Sequence, residues 1–309
     1  MSNGVSRRRI VVVTGAAGGI GAAIAARFAA EDRVVSLWDL DPAVHEFAAA
    51  MNANSAHVDS ATRPSGSGTA CTAIEFSAMT AAGAGAREDN IPNPAPPLDQ
   101  ATVHGVVVDI TDAEAVHAAF DKLTADYGTV DVLVHAAGIM VGGSPLEVTA
   151  ADWARCLSVN ATGTMLVTQR AAADMVAAGR GSIVVVSSNA AATPRVGMAA
   201  YGAAKAAAVA FTKSLALQVA PLGVRVNLVS PGSTDTTMLR DMFGGAPLDD
   251  AAETALLDGD PAAYRLGIPL RRIAAPADIA SAVHFLASDG ARHITMHDLR
   301  VDGGATLDM

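Results

Sequence analysis

A tyrosine and a lysine lie four positions apart in the C-terminal half of the 309-residue chain, at Tyr201 and Lys205. The stretch from Tyr201 to Ala220 has a helical pattern, in which residues four apart share one face. An ammonium group beside a phenol stabilises the phenolate and so lowers the pKa of the phenol. The pair therefore indicates a general base that can take a proton from a hydroxyl group, although such pairs often occur by chance.

A hydroxyl group is predicted to lie close to this pair. Ser187 ends an apolar run at 182–187 that predicts a buried strand, and Ser188 and Asn189 follow it. In open sheets of parallel strands, ligands bind at the carboxyl ends of the strands. The strand would therefore bring a serine to the sheet edge, where it could stabilise an oxyanion developing on a substrate.

A glycine-rich turn at 14–21 follows the first predicted strand and opens a helix. Gly15 permits a tight turn, Gly19 lets the backbone approach a pyrophosphate, and Gly21 lets the helix pack closely on the strand. The diphosphate would contact free N–H groups at the helix N-terminus. Asp39 ends the second strand, where a carboxylate would accept hydrogen bonds from an adenosine ribose. This context predicts a dinucleotide site.

The surroundings of Asp39 favour NAD over NADP. A carboxylate repels a 2′-phosphate, and no Lys or Arg occupies the glycine turn or the two positions after Asp39. Asp109, which ends the third strand, is predicted to be a second contact on the adenine side. The alternative is that Asp109 caps the next helix, a role for which Thr111 and Asp112 compete.

The elements that position these residues form a repeating pattern. Apolar runs separated by helical patterns predict strands that are buried on both faces, in a parallel sheet covered by helices. We predict a single-domain α/β fold over residues 1–309, a Rossmann-type doubly wound parallel sheet. The predicted strands are residues 10–13, 34–38, 103–108, 130–135, 182–187 and 224–229.

Two segments depart from this repeat. Residues 52–101 are rich in Ala, Ser, Thr, Gly and Pro and predict a surface insertion between the second helix and the third strand, with one short helix near 70–82. Because this connection joins the amino ends of the strands, the insertion would lie away from the site; a partner or oligomer contact is the alternative. Residues 234–266, hereafter the lid segment, are polar and predict a substrate lid that excludes water.

Composition excludes several classes of function. The net charge of −10 argues against a nucleic-acid surface, and a membrane span is not expected because every apolar run is short or interrupted. Arg7–Arg9, followed by apolar residues 10–30, resembles a twin-arginine leader, but cleavage there would remove the cofactor site. Cys71 and Cys156 are too few for a disulfide framework, which favours the cytoplasm, and no metal site is predicted.

Taken together, the motifs resemble the short-chain dehydrogenase/reductase family over nearly the whole chain apart from the insertion. The family serine lies thirteen positions before the tyrosine, which implies Ser188 rather than Ser187 as the catalytic serine. Asn160 matches the family asparagine that anchors a proton-relaying water; a buried amide bracing two strands is the structural alternative. The implied cofactor-binding residues are Gly15, Gly19, Ile20, Gly21, Asp39, Leu40, Asp109, Ile110, Ala136, Gly138, Tyr201, Lys205, Pro231, Gly232 and Thr234.

The resemblance also implies a homotetramer, for which the apolar face of helix 201–220 is a plausible interface. In one place the chain departs from the family pattern. Where the family usually has Asn-Asn-Ala-Gly after the fourth strand, this chain has His135, Ala136, Ala137 and Gly138. The departure puts one structural hydrogen bond of the pattern in doubt, and His135 is not expected to be a catalytic base.

Within the family, the C-terminal half is similar to dehydrogenases that use NAD to aromatise 2,3-dihydro-2,3-dihydroxybenzoate for siderophore biosynthesis. The similar stretches include 188–205 and 266–270. The resemblance implies a small anionic dihydroaromatic substrate whose carboxylate would bind Arg195, while Met140 and Met198 would line its flat ring. The alternative for Arg195 is an exposed ion pair.

Three other functions remain open from the sequence. The amino analogue 2,3-dihydro-3-hydroxyanthranilate, oxidised for secondary metabolism, differs from the first substrate at one ring position. A generic ketoreductase of the same family is a broader alternative. A non-enzymatic NAD-sensing protein is an alternative of another class, but it predicts damage to Ser188, Tyr201 or Lys205, and all three residues are present.

Overall fold

The computed structural model describes residues 9–31, 33–58, 102–245 and 247–307, with the backbone alone for 54–58. The strands are β1 Arg9–Thr14, β2 Arg33–Asp39, β3 Thr102–Val107, β4 Val132–His135, β5 Gly181–Val186, β6 Val224–Pro231, β7 Gly259–Asp260, β8 Arg265–Leu266 and β9 Asp298–Val301. The α-helices are α1 Gly19–Ala29, α2 Val44–Val58, α3 Ala113–Tyr127, α4 Ala150–Leu157, α5 Thr164–Ala177, α6 Ala199–Val219, α7 Thr237–Asp241, α8 Asp250–Asp258 and α9 Pro276–Ala287.

The described strands form a seven-stranded parallel sheet in the order β3-β2-β1-β4-β5-β6-β9. The strand order reverses between β1 and β4, and ligands of open α/β sheets bind in the crevice that such a reversal opens. The predicted single-domain Rossmann-type sheet is therefore confirmed. Strands β7 and β8 form a small antiparallel hairpin outside this sheet.

The core lies on both faces of the sheet, as the continuous apolar strands predict. Alternate residues of β1 enter different clusters: Val11 and Val13 pack with α1 and α9, whereas Ile10 and Val12 pack with α3, α5 and α6. Trp38 is fully buried beside Phe120, with ring centroids 4.7 Å apart. Because both faces are covered by helices, the polar residues that follow the strands are left at one edge of the sheet.

Several predicted boundaries shift in the structure. The first helix begins at Gly19, not at Gly21, and β6 extends to Pro231. Residues 52–58 continue α2, so they do not belong to the predicted insertion; residues 59–101, with the predicted short helix near 70–82, lie outside the described residues. None of the helices that the structure describes is both long and apolar enough to cross a membrane.

Candidate active site

The structure brings Ser188, Tyr201 and Lys205 together at the carboxyl end of β5. Tyr201 and Lys205 lie one turn apart in α6, and both side chains are buried. The ammonium nitrogen of Lys205 is 5.8 Å from the centre of the Tyr201 ring and donates a 3.1 Å hydrogen bond to the Val186 carbonyl. The Ser188 and Tyr201 side chains are hydrogen-bonded, whereas the buried Ser187 hydroxyl has no partner among the described residues. The geometry therefore favours Ser188 over Ser187.

Burial controls the proton affinities of this centre. It raises the pKa of Tyr201 to about 12, against the smaller lowering by the Ser188 hydrogen bond. Burial lowers the pKa of Lys205 to about 8. The Tyr201 pKa is thus not lowered in the protein by itself, because loss of solvation disfavours the phenolate. At neutral pH this centre holds a phenol and a lysine near its titration point.

Asn160 lies beside this centre, in a π-helical turn at Ser158–Gly163 between α4 and α5. Its buried amide donates to the carbonyl of Ile139 at 2.9 Å and accepts from the N–H of the same residue at 3.2 Å. The amide therefore braces the loop after β4, not two strands as the structural alternative supposed. A Cβ at Gly138 would lie 2.7 Å from the Asn160 Oδ1 and 3.3 Å from the Lys205 Nζ, so glycine keeps both groups close.

His135 contacts the side chain of Thr14, at the end of the neighbouring strand β1. Its Nδ1 lies 2.9 Å from the Thr14 hydroxyl oxygen, and that oxygen accepts hydrogen bonds from the N–H groups of Ala136 and Ala137, both at 3.2 Å. The hydroxyl can donate its own proton to Nδ1. The Nε2 of His135 is buried without a partner among the described residues. Burial lowers the pKa of His135 to about 3, so the ring is neutral.

A cavity of about 380 Å³ opens at the N-terminus of α1. Gly15 and Gly19 adopt positive φ angles of 68° and 54°, and a Cβ at Gly21 would lie 1.9 Å from the Gly15 carbonyl oxygen. The N-cap residue of α1 is Gly18, which has no side chain that could cap the helix. The first N–H groups of the helix are therefore free to bind an anion, and the cavity fits a diphosphate.

Two carboxylates border this cavity. Asp39 accepts hydrogen bonds from the N–H groups of Ala17 at 2.9 Å and Asp41 at 3.0 Å, which ties the glycine turn to the end of β2. Asp109 accepts from both the N–H and the hydroxyl of Thr111. Asp112 is the residue that caps α3, so the cap alternative for Asp109 is wrong. Ten predicted cofactor residues line the cavity: Gly15, Gly19, Ile20, Gly21, Asp39, Leu40, Asp109, Ile110, Ala136 and Gly138.

A second cavity of about 350 Å³ adjoins the first, since Ile20, Thr236 and Met238 line both. The lid segment contributes much of its wall, through apolar side chains of α7 and α8 such as Leu239 and Leu256. Asn160 and Lys205 are not among the lining residues of either cavity. The predicted residues that line the second cavity are Met140, Ser188, Arg195, Met198, Tyr201, Pro231, Gly232 and Thr234.

Sequence reasoning missed several lining residues. Gly18 lies inside the glycine turn at 14–21 but was given no role, although the turn around it was enough to predict a contact with the cofactor. Thr236, Met238 and Phe243 follow the strand end at Pro231 but have no distinctive spacing. Arg265 also lines the second cavity, and it stands directly before the stretch 266–270 that the resemblance included. Its approach to the cavity depends on the β7–β8 hairpin, which the sequence pattern does not predict.

Comparisons with known proteins agree with this geometry. Residues 78–306 match a sequence family described as enoyl-(acyl carrier protein) reductase. The chain is 45% identical over 201 residues to the vibriobactin-specific 2,3-dihydro-2,3-dihydroxybenzoate dehydrogenase of Vibrio cholerae, across 65% of this chain and 75% of the relative. It is 43% identical to the 2,3-dihydro-2,3-dihydroxybenzoate dehydrogenase of Escherichia coli, across 65% of this chain and 79% of the relative. A solved short-chain type dehydrogenase/reductase from Mycobacterium ulcerans is 26% identical with a TM-score of 0.73, and the match covers 97% of this chain and 91% of that chain.

Proposed function

Because the chain belongs to the short-chain dehydrogenase/reductase family of oxidoreductases, we propose that it oxidises a ring hydroxyl of a dihydro-hydroxy-cyclohexadiene carboxylate with NAD. Oxidation gives a ketone that tautomerises to an aromatic ring. The proposed substrate is 2,3-dihydro-2,3-dihydroxybenzoate and the product 2,3-dihydroxybenzoate, a step of siderophore biosynthesis. The activity of two relatives that are more than 40% identical, both 2,3-dihydro-2,3-dihydroxybenzoate dehydrogenases, supports this choice.

One observation carries the proposal: a phenol, a serine hydroxyl and a guanidinium line the same small cavity. Tyr201 and Ser188 can contact a substrate hydroxyl, and Arg195 can bind a carboxylate. A cavity of about 350 Å³ suits a single ring with small substituents. Met140 and Met198 supply polarizable apolar walls for the ring.

The chain's own residues divide the proton chemistry. Tyr201, once deprotonated, accepts the proton of the ring hydroxyl, and Ser188 donates a hydrogen bond to the oxygen as its negative charge develops. Lys205, whose pKa is about 8, can exchange a proton near neutral pH. Asn160 fixes the loop after β4 beside the Lys205 ammonium. When bound, an oxidised nicotinamide supplies the hydride acceptor and a positive charge, which opposes the effect of burial on the Tyr201 pKa.

The choice of NAD rests on the first cavity. Asp39 can accept hydrogen bonds from both hydroxyls of the adenosine ribose, and its charge repels a 2′-phosphate. No Lys or Arg lines this cavity in the described part of the chain, so a 2′-phosphate has no cation there to bind. Free N–H groups at the start of α1 would hold the diphosphate.

The direct test measures NADH absorbance after purified protein is mixed with NAD and 2,3-dihydro-2,3-dihydroxybenzoate, with identification of the product. We expect turnover, and a loss in kcat of about 1,000-fold in Tyr201→Phe, because the general base is removed. Tyr127→Phe is the matched control, since Tyr127 lies on α3 outside both cavities, and it should keep full activity.

The amino analogue 2,3-dihydro-3-hydroxyanthranilate is the parallel substrate in this assay. Faster turnover of the analogue would replace the proposed substrate while keeping the reaction class. If neither acid is oxidised although NAD binds, the aromatising reaction is wrong for this chain.

The lid role of residues 234–266, the homotetramer and the cytoplasmic location stay predictions. Closure of the lid segment over a bound substrate would exclude water during the reaction. Leu217 on α6 is 65% exposed and is available for contact with a second subunit. Comparison of the mass in solution with the mass of one chain tests the tetramer.

A further inference from the structure

The second cavity holds two arginines that come from distant parts of the chain. Arg195 lies in the loop before α6, and Arg265 lies in β8 of the lid segment. Both side chains are partly buried. Neither guanidinium takes part in any salt bridge formed between described residues.

The carboxylates near these arginines are already engaged elsewhere. Asp302 accepts hydrogen bonds from the Thr306 hydroxyl at 2.6 Å and from the Asn189 amide at 3.2 Å. Asp260 caps the turn that follows it, accepting from the Ala262 N–H at 3.0 Å. The two acids act on the arginines through their charge alone, which raises the pKa of the nearest guanidinium without a direct ion pair.

The two cations are therefore placed at an energetic cost. Burial lowers the pKa of both Arg195 and Arg265, and the charge of Arg195 lowers the pKa of Arg265 further. Like charges that share a partly desolvated cavity repel each other until an anion binds between them. The arrangement thus indicates an anionic ligand, and it does so independently of the catalytic residues.

The local fold holds Arg265 toward the cavity. Its Nη2 donates a 3.1 Å hydrogen bond to the Ser233 hydroxyl, in the loop after β6. The hairpin pairs Arg265 with Asp260, and the chain then turns so tightly that a Cβ at Gly267 would lie 2.1 Å from the Leu257 carbonyl oxygen. One hydrogen bond leaves the remaining N–H groups of the guanidinium free for a ligand.

We propose that Arg265 is a second substrate-binding residue, which together with Arg195 binds the substrate carboxylate between two guanidinium groups. This inference rests on the proposed function and names the group that the lid segment recognises. A neutral ring in the same cavity would leave two partly buried cations unpaired. The pair therefore selects ring acids over neutral dihydrodiols of the same size.

The test compares Arg265→Met, Arg265→Lys and Arg195→Met with the unmodified protein. Arg292→Met is the matched control, because Arg292 is exposed and lies outside the second cavity. Each protein is assayed with 2,3-dihydro-2,3-dihydroxybenzoate and with its methyl ester. We expect Arg265→Met to raise KM for the acid by about 10- to 100-fold, the loss for a charge-assisted hydrogen bond, with kcat within about 3-fold. KM for the ester should not rise, because the ester has no carboxylate for Arg265 to bind, and Arg265→Lys should recover part of the loss.

An unchanged KM for the acid in a folded Arg265→Met protein, or an equal rise for acid and ester, would overturn the inference while leaving the proposed function intact. Calorimetric Kd values for 2,3-dihydroxybenzoate and its methyl ester test the carboxylate site by itself, in case the proposed reaction fails. If the unmodified protein oxidises neither 2,3-dihydro-2,3-dihydroxybenzoate nor its methyl ester, but binds 2,3-dihydroxybenzoate in an Arg265-dependent way, the carboxylate site stands and the proposed reaction fails. If that binding does not depend on Arg265, both are wrong. Should Arg265→Met not fold, Arg265→Lys tests the role of Arg265 through a smaller rise in KM for the acid. Arg195→Met then tests the other guanidinium of the pair by the same comparison of acid and ester.

Discussion

The two adjoining cavities differ in the groups of the protein that form them. The first is built around a glycine turn and the uncapped start of α1, and no Lys or Arg lines it in the described chain. The second is formed by side chains, with two arginines, and its wall comes largely from short elements of the lid segment. A site built around a glycine turn and the start of a helix follows from the fold. A site whose walls are side chains can change with a few substitutions. We therefore propose that the first cavity holds the cofactor and that the second selects the substrate.

The largest expected effect tests the first cavity, at the glycine turn. Gly21→Ala places a Cβ 1.9 Å from the Gly15 carbonyl oxygen, so the turn must move. We expect the free energy of unfolding to fall by at least about 3 kcal/mol and NAD binding to be lost. Urea unfolding and NAD titration measure both. Gly142→Ala is the control, because its Cβ would meet the Gly197 carbonyl oxygen at an ordinary 3.6 Å. Normal NAD affinity in Gly21→Ala would contradict the difference between the cavities.

A second prediction concerns His135, which is buried directly before the cavity-lining residue Ala136. The folded pKa of His135 is about 3, below the ordinary value of 6.5, so the unfolded chain takes up protons first as pH falls. Stability from the neutral ring is complete above about pH 6.5 and is lost toward pH 3. At pH 5 we expect the unmodified protein to lose about 2 kcal/mol more than His135→Asn does. His104, with a lowered pKa of about 4, contributes equally to both proteins and cancels. Parallel stability curves from pH 7 to pH 4 would rule out this origin of acid sensitivity.

A third prediction concerns Asp39, the side chain on which the proposed preference for NAD depends. Asp39→Ala removes the proposed acceptor for the adenosine ribose, so KM for NAD should rise about 10-fold and activity with NADP should increase relative to NAD. Asp41→Ala is the matched control, because the Asp41 carboxylate caps its own turn through the Ala43 N–H and does not line the cavity. The same KM for NAD in both variants would mean that backbone contacts alone recognise the adenosine half.

The smallest expected effect separates two neighbouring aspartates. Asp112→Ala removes the N-cap of α3, where the carboxylate accepts from the N–H groups of Glu114 and Ala115. Its free energy of unfolding should fall by about 1 kcal/mol with KM for NAD unchanged. Asp109→Ala should show the reverse, a raised KM for NAD with little loss of stability. Thermal unfolding and NAD kinetics on both variants check this, and a raised KM in Asp112→Ala would count against the assignment.

Much of the fold and the proton-transfer residues could be predicted from the sequence because they follow short-range patterns. Apolar runs predicted the parallel strands, and helical spacing placed Tyr201 and Lys205 on one face. The edge strand β9 was not predicted: in Asp298–Val301 charged and apolar residues alternate, and all four are partly exposed. The lid segment was predicted from its place after β6, but its helices and hairpin have too few residues to show a clear period.

The sequence by itself determined the fold class, the glycine turn with Asp39, and the pairing of Tyr201 with Lys205, because each depends on neighbours within a strand or helix. The choice of Ser188 over Ser187 came from the family resemblance. Tertiary structure decided which groups share a cavity and which protons they hold. Arg195 and Arg265 are seventy residues apart, and only the packed hairpin brings both guanidinium groups to one site. The pKa values of Tyr201 and His135 likewise depend on burial, which arises when the sheet, α6 and the loop after β4 close together.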